Sequence, residues 1–547
     1  MDDISKDFVG YWRRVASISF DRDRFSILTR RRSEAAIVWF LPAFAASVYA
    51  ITKGQDLNWD QRNYHIYSVY SLLHHRGGFD IIPSQLQTWT NPVGNLFQYL
   101  LVMSLRPTTA SVLLAFLAST SIPLVYFLTK ATLNDKVDRQ NGFHIIVPGI
   151  AAMGAFFSPV FLSEVGTTFN DYLGSIVILL AIWVSTRNRL ALGPYFLAGA
   201  LLGVAVAIKL TNAFLIFGWV AAVVAVEKTN AMRPLVLSGA AAVATYIPLG
   251  GVWNAHVYSL FRNPLFPLYN HIFKSDAYAH APMLDERFKP KTFAAALEYF
   301  TKWTFGEPTT TEVVFRDARF LLALLVLALA LPRVIELVFA HREDRAPPIF
   351  DRKRSLFVLV FTIVSFVAWL AMFGIERYAI LLEQLALIVI LILLSLLCEN
   401  RRVFAQAALM SLALILATTQ PPDWGRAPFT KDWYAVAAPA PLLQNETLFV
   451  MLSGEPTAYV IPYLPASDSF VRIEGNMPLD PAVGLGEVAL ARIRAHKGVI
   501  RTLAPADYSL EQSKQRLASF DLAIREEDCL FISTKVEKLR SCRLTRS

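Results

Sequence analysis

The chain is short of charge. Of its 547 residues only 17% are Asp, Glu, Lys or Arg, against about 25% in soluble globular proteins. That deficit excludes an ordinary water-soluble domain. Cysteine is scarce too, at three residues, so a disulfide-built scaffold is excluded. Cys398 falls in an apolar run and reads as a small core residue. Cys529 and Cys542 flank strand-like runs near the C-terminus and can pair if that end faces an oxidising compartment. There is no internal repeat and no low-complexity tract. No cleavable signal peptide is seen, because the first 34 residues are polar and Arg-rich, so the first apolar run is expected to act as an uncleaved anchor. The net charge of +9 follows from basic loops between apolar runs and carries no expectation of nucleic acid.

What the chain has is apolar length. Hydrophobic residues make up 54% of it, gathered in runs of about 17–25 residues, the length a helix needs to cross a bilayer. Arg30, Arg31 and Arg32 precede the first run, about Ala35 to Ile51. The positive-inside rule then puts segment 1–34 in the cytoplasm and residue 52 onward outside. Further spans are expected at about Thr108–Thr129, Ile145–Leu162, Asp171–Arg187, Pro194–Ile208, Ala213–Val226, a run ending near Trp253, Phe320–Phe339, a run ending near Gly374, Tyr378–Arg401 and Phe404–Thr419. Asn91 to Arg106 is apolar but only about fifteen residues long, and reads as a helix on the outer surface. Counted as a span, it would turn every later basic loop outward, including those with Lys130, Lys136, Arg139, Arg189 and Arg233, against the same rule. The expectation is a polytopic α-helical membrane protein of about eleven spans over 35–419, with outer loops 52–107 and 254–317. The tail, 420–547, changes composition. TLFVML, SFVRI and CLFIS read as strands, Leu485–Ala495 and Leu510–Phe520 as helices, together an outward-facing α/β domain.

One stretch concentrates function-capable groups. Asp56 to Pro92, DLNWDQRNYHIYSVYSLLHHRGGFDIIPSQLQTWTNP, follows the first span directly. Asp60 is its leading candidate. Asp171 opens a span at the same outer face, Lys209 closes one, and Arg377 and Tyr378 stand at the head of another. Each has a plainer reading: Asp60 or Asp171 as a helix N-cap, Lys209 as a snorkelling lysine, Arg377 as the ion partner of adjacent Glu376. Arg62 either pairs with an acid or reaches a phosphate. Asp56 is a candidate partner of Asp60. Tyr64, Trp89 and Asn91 are read as shaping the substrate site, the two aromatics otherwise being ordinary interfacial residues. Asn263-Pro264 and Tyr269 read as shaping the site, and Asp276, Asp285 and Arg287 are weaker candidates for acceptor contact. His65, His74 and His75 have no metal-ligand spacing with the neighbouring acids, so no metal site is assigned.

These motifs line up with a known group. Asp60-Gln61-Arg62-Asn63-Tyr64, His75-Arg76-Gly77-Gly78, Pro83 and Thr90-Asn91-Pro92 resemble the first periplasmic loop of GT-C superfamily glycosyltransferases, in particular the protein O-mannosyltransferase and lipid A aminoarabinose transferase group. GTTFNDYLGSIVILLAIW, GALLGVAVAIKLTN, NPLFPLYN and ERYAIL resemble later segments of that group in the same order. Two departures stand out: Gln61 where the group often has Glu, and Asn91 where aminoarabinose transferases often have Lys. The resemblance implies inverting transfer of a sugar from a polyprenyl-phosphate donor to a lipid, glycan or protein acceptor, at the periplasmic face of a bacterial inner membrane. Asp60 would be the general base and Asp171 a second acid, with Lys209, Arg377, Arg62 and Tyr378 around the donor phosphate. No cofactor is implied, and a divalent cation stays open. Two other readings are kept: a lipid or polysaccharide transporter or flippase, expected to show ionisable residues in mid-span or inverted repeats, and a polymerase or ligase using a lipid-diphosphate donor. The tail carries no nucleophile or Gly-rich phosphate loop and is expected to pack over the site or bind the acceptor.

Overall fold

The computed structural model describes residues 31–134, 142–187, 192–339, 349–444 and 446–547. Segment 1–30, the basic residues Lys136, Arg139 and Arg189, and residues 340–348 lie outside them. Among the described residues, eight helices are long and apolar enough to cross a membrane: Ser33–Lys53, Pro107–Thr132, Leu210–Asn230, Met232–Phe261, Arg319–Val338, Arg352–Met372, Glu376–Leu397 and Arg401–Thr418. Three shorter apolar helices, Phe143–Phe156, Asp171–Thr186 and Gly193–Ile208, stand at the other expected positions. The chain is a multi-pass helical membrane protein with a sheet domain at its C-terminus.

Local chemistry explains where the helices depart from expectation. The run read as Ile145–Leu162 breaks at Phe157–Ser158. Ser158 Oγ accepts the Phe161 amide at 3.2 Å and Pro159 starts a separate helix, Pro159–Glu164, because a Ser-Pro pair is a strong helix start. Cys398 terminates its helix rather than lying within it, and is half-buried. Residues Leu96–Ser104 form a helix of nine residues, about 14 Å long, too short for a hydrocarbon core of about 30 Å. Its Leu96, Phe97, Leu100 and Met103 are exposed, which suits a helix lying along the bilayer surface.

Close packing fixes the spans. Gly199 and Gly203, one turn apart, lie against the helix Met232–Tyr246. A Cβ at Gly199 would stand 2.1 Å from the Ser238 carbonyl oxygen, and one at Gly203 2.2 Å from that of Ala242. Two small residues spaced in this way let helix backbones touch.

The tail contains most of the strand structure. The first pair, β1 (Gln55–Asp56) and β2 (Arg426–Ala427), joins the end of the first span to the segment entering the tail. Strands β3 (Thr447–Met451), β4 (Ser469–Arg472), β5 (Val499–Pro505), β6 (Leu522–Ser533) and β7 (Lys538–Arg546) form one sheet in the order β4-β3-β5-β7-β6. The three at the β4 end are parallel and the β5-β7-β6 side is antiparallel. Cys529 and Cys542, opposite one another on β6 and β7, form a disulfide. One face of the sheet carries Phe449, Met451 and Phe470 against Ile66, Tyr67 and Tyr70 of the first loop. The other packs Leu448, Val450 and Val471 with Ile493 and Leu517 of its own helices. Beyond β4, Ile81 of the first loop accepts the Arg472 amide and donates to the Phe470 carbonyl, at 3.0 and 2.8 Å. The loop thus extends the sheet edge, which would otherwise be left open.

Candidate active site

Four charged residues far apart in the sequence meet at the rim of the helical bundle that bears the tail. Arg377 Nη1 lies 2.7 Å from Asp60 Oδ2 and 4.0 Å from Asp171 Oδ2. Lys209 Nζ lies 2.6 Å from Asp171 Oδ1. Asp60 and Asp171 are 9% and 4% exposed, so both carboxylates are largely out of water, where a charge persists only with a partner.

The local structure explains why these side chains are available to one another. Asn58, not Asp60, caps the helix that follows it: Asn58 Oδ1 accepts the Gln61 amide at 2.8 Å, and Asp60 makes no capping bond. Asn58 is held by Asp56, whose carboxylate also accepts the amide and hydroxyl of Thr168 at 2.8 and 3.0 Å. Asp56 is therefore committed to tying the first loop to the loop before Asp171, and is not a partner of Asp60. Lys209 follows the helix Leu192–Ile208 in extended conformation. Gly94 permits the approach of the first loop there, since a Cβ at that position would stand 2.2 Å from the Ile208 carbonyl oxygen. Glu376, the expected local partner of Arg377, instead accepts the Thr310 hydroxyl at 2.8 Å, which leaves Arg377 to Asp60.

Aromatic rings complete the setting. The Arg377 guanidinium lies 4.4 Å from the Phe169 ring centroid and 5.5 Å from that of Trp424. Lys209 sits 4.4 Å from the Tyr378 ring. Such contacts strengthen when the cation is desolvated. Tyr64 donates its hydroxyl to Asp60 Oδ2 at 3.3 Å. Burial alone would raise the Asp60 carboxyl, but Arg377, His65 and Lys209 outweigh it and hold it below its ordinary value. Burial pushes His65 down to about 4, so its ring is neutral near pH 7. It meets the Thr168 hydroxyl at 3.2 Å.

The structure thus brings together Asp60, Asp171, Lys209, Arg377, Tyr378 and Tyr64. It does not bring the other three candidates into the ion-pair cluster. Arg62 is directed at Glu537 of the tail, 3.4 Å away. Two residues along a helix is roughly half a turn, so Arg62 faces away from Asp60. Trp89 is buried edge-on against Phe261, with ring centroids 4.7 Å apart, and accepts from Trp253 through its carbonyl. The Asn91 amide donates to the Ala207 and Leu249 carbonyls and its oxygen caps Val93, so it clamps the loop to the bundle. Asp285, Arg287 and Glu312 pair among themselves at the exposed surface, and Asp276 faces His280. Among the described residues, no three or more His, Cys, Asp or Glu side chains converge as a metal site.

Sequence reasoning did not single out Phe169, Trp424, Arg426 or Glu164. Arg426 donates to the carbonyls of Ser163 and Val165 at 3.0 and 2.7 Å, and Trp424 Nε1 to Ser163 Oγ at 3.1 Å. The tail is therefore bonded to the same loop that supplies Phe169. A signal was present in the isolated Trp and Arg of PPDWGRAP just after the last span, a place where a plain linker needs neither.

No family model matches the sequence, and no curated protein matches it. Among solved structures, the chain is similar to the crystal structure of ArnT from Cupriavidus metallidurans bound to undecaprenyl phosphate, with a TM-score of 0.46 and 11% identity over 93% of this chain and 97% of that one. It is similar to the apo form of the same protein with a TM-score of 0.42 and 10% identity over the same shares. Scores this low leave the reading of the site to its own side chains.

Proposed function

We propose that the chain is a GT-C-type membrane glycosyltransferase. It moves a sugar, a hexose or a pentose, from a polyprenyl-phosphate donor to an acceptor hydroxyl, with inversion, at the periplasmic face of a bacterial inner membrane. The observation that carries this reading is the buried pairing of Asp60 and Asp171 with Arg377 and Lys209 at the rim beneath the tail. The ordered motif resemblance supports the choice of donor.

The chemistry follows from charge. A polyprenyl-phosphate sugar is a phosphodiester with one negative charge, and its leaving group is a phosphomonoester that develops a second. Arg377 and Lys209 supply cations where that charge grows, and a guanidinium can bind two oxygens at once. The acceptor oxygen attacks the anomeric carbon while the bond from that carbon to the phosphate oxygen breaks. The bonding electrons leave with the phosphate, and the acceptor proton passes to Asp60. In the resting site Asp60 is a weak base because Arg377 holds it. Phosphate bound to Arg377 and Lys209 shares that cationic charge, and the Asp60 carboxylate becomes more basic as the donor seats. Asp171 keeps Lys209 and Arg377 in place.

The test is transfer from a radiolabelled polyprenyl-phosphate sugar in membranes. Asp60→Asn is expected to lose at least about 100-fold, the usual worth of a positioned base. Full transfer by the mutant at normal expression overturns Asp60 as base, and transfer only from diphosphate-linked donors overturns the donor class.

A further inference from the structure

Resting on that reading of the rim, we infer that Glu164 is a third carboxyl of the cluster, one that works in its protonated form, and that its ionisation weakens binding of the donor phosphate. Glu164 ends the short helix Pro159–Glu164 and is 1% exposed. Its carbonyl is doubly engaged, accepting the amide and the hydroxyl of Thr167 at 3.0 and 2.7 Å. Arg426 pins the carbonyls on either side of it. The side chain is the opposite case. Neither carboxyl oxygen closes a hydrogen bond, although the Tyr172 amide faces it. Buried polar atoms are normally bonded, and an orphaned pair calls for an explanation.

Its surroundings supply one. The charged and titratable groups facing Glu164 are Asp171 and Tyr172 at the head of helix Asp171–Arg187, with Lys209 and Arg377. Asp171 Oδ2 and Asn170 Oδ1 are also without a hydrogen bond. The Tyr172 hydroxyl close by is unpaired as well, so no donor is bonded to this buried carboxyl, and a carboxyl in that position is held more readily as the neutral acid than as an uncompensated charge. Charge agrees. With Glu164 neutral, two carboxylates, Asp60 and Asp171, balance two cations, Lys209 and Arg377. An ionised Glu164 adds a third negative charge, which competes with an incoming phosphate for the same cations. Burial and Asp171 push its carboxyl well above the ordinary value of 4.5, against the pull of Arg377 and Lys209. Glu164 is a positioning residue: it acts through the cations and does not touch the reacting atoms.

The experiment measures binding of undecaprenyl phosphate, without a sugar, to the purified full-length protein in lipid nanodiscs across pH, for wild type and Glu164→Gln. Wild-type affinity should fall as pH rises through the raised value of Glu164, by up to about tenfold per pH unit, the limit for one proton. Glu164→Gln, a permanent mimic of the protonated form, should lose this component of the slope and bind more tightly than wild type at alkaline pH. A merely structural residue gives no such gain. An identical slope in the variant, or loss of binding at every pH, overturns the proposal. Thermal unfolding gives a readout that does not depend on the donor. A carboxyl raised on folding favours the folded state at low pH and costs stability as pH rises from 4.5 to its folded value, so the wild type should show that decline and the variant should lack it. If undecaprenyl phosphate fails to bind wild type at all, the donor reading falls. The unfolding profile then still decides whether Glu164 carries a proton.

Discussion

Replacing Arg377 by Met tests the electrostatics of the rim most directly. The substitution keeps much of the apolar stem and removes the charge that lies 2.7 Å from Asp60 Oδ2 and 4.0 Å from Asp171 Oδ2. Breaking a buried pair by deleting one partner costs about 3–5 kcal/mol. Asp60 can limit that cost by taking up a proton. Its ordinary value is 3.8, so neutralising it at pH 7 costs no more than about 4 kcal/mol, at 1.36 kcal/mol per unit over about three units. The two routes converge on a deficit of about 3–4 kcal/mol at neutral pH. The sign of its pH dependence follows. In wild type the Asp60 carboxyl is held below its ordinary value, a stabilisation present above that value and lost as pH falls through the folded one. In the variant the buried, unpaired carboxyl is raised, and the penalty grows as pH climbs from about 4 toward 7. The gap between the two proteins should therefore be small near pH 4 and widest near neutrality. Unfolding in detergent, followed by tryptophan fluorescence from pH 4 to 8, measures it. The double variant Asp60→Asn/Arg377→Met should recover part of the loss. A deficit that does not change with pH, together with no recovery in the double variant, would refute the argument that Arg377 chiefly compensates a buried carboxylate.

Two further outcomes are expected. Arg76 is 4% exposed, binds both oxygens of Asp80 at 2.6 and 2.7 Å, and reaches the Ala466 and Asp468 carbonyls of the tail. Arg76→Ala should thus weaken the docking of the tail by about 3–5 kcal/mol, seen as faster amide exchange at Phe470 and Arg472, and unchanged exchange there would show that the clamp is not Arg76. For topology, in a Cys398→Ala background, a cysteine replacing exposed Asp276 should react in intact cells with an impermeant thiol reagent, while one replacing exposed Asn230 should not. The reverse pattern would invert the orientation.

The helical positions were legible because the bilayer imposes a length on every run that crosses it, and because Asp171, Lys209 and Arg377 interrupt that apolarity at the ends of their helices. The groups that surround them were less so. Tyr64, one helical turn from Asp60, reads from the sequence as a substrate-shaping aromatic, and in the structure it donates its hydroxyl to that carboxylate. Arg62 shared a motif with Asp60, yet helix geometry turns it to the tail, and this could have been read from spacing alone. Trp424 and Arg426 could not be assigned partners, because their contacts are with residues more than 250 positions earlier. In the tail, the sequence pattern does not show β5, whose apolar run Arg501 breaks, and shows β7 only as a short strand-like run before Cys542, because Arg540 and Arg543 interrupt the rest. Arg501 is nonetheless 6% exposed, bonded to Asp528 and Ser541. A sheet that accommodates an ion-paired arginine defeats a reading based on alternation.

The two-residue ladder between β1 and β2 has a consequence for biosynthesis. It fastens Gln55 and Asp56 to Ala427 and Arg426, so the beginning of the first loop and its cover come from distant parts of the translated message. The first loop is made early and has to wait, with Ile66, Tyr67 and Tyr70 uncovered, until the sheet that shields them has been made. Pairing of the first loop with the tail is therefore among the last events in maturation, and a ribosome stalled before residue 426 would leave a bundle without its sheet domain.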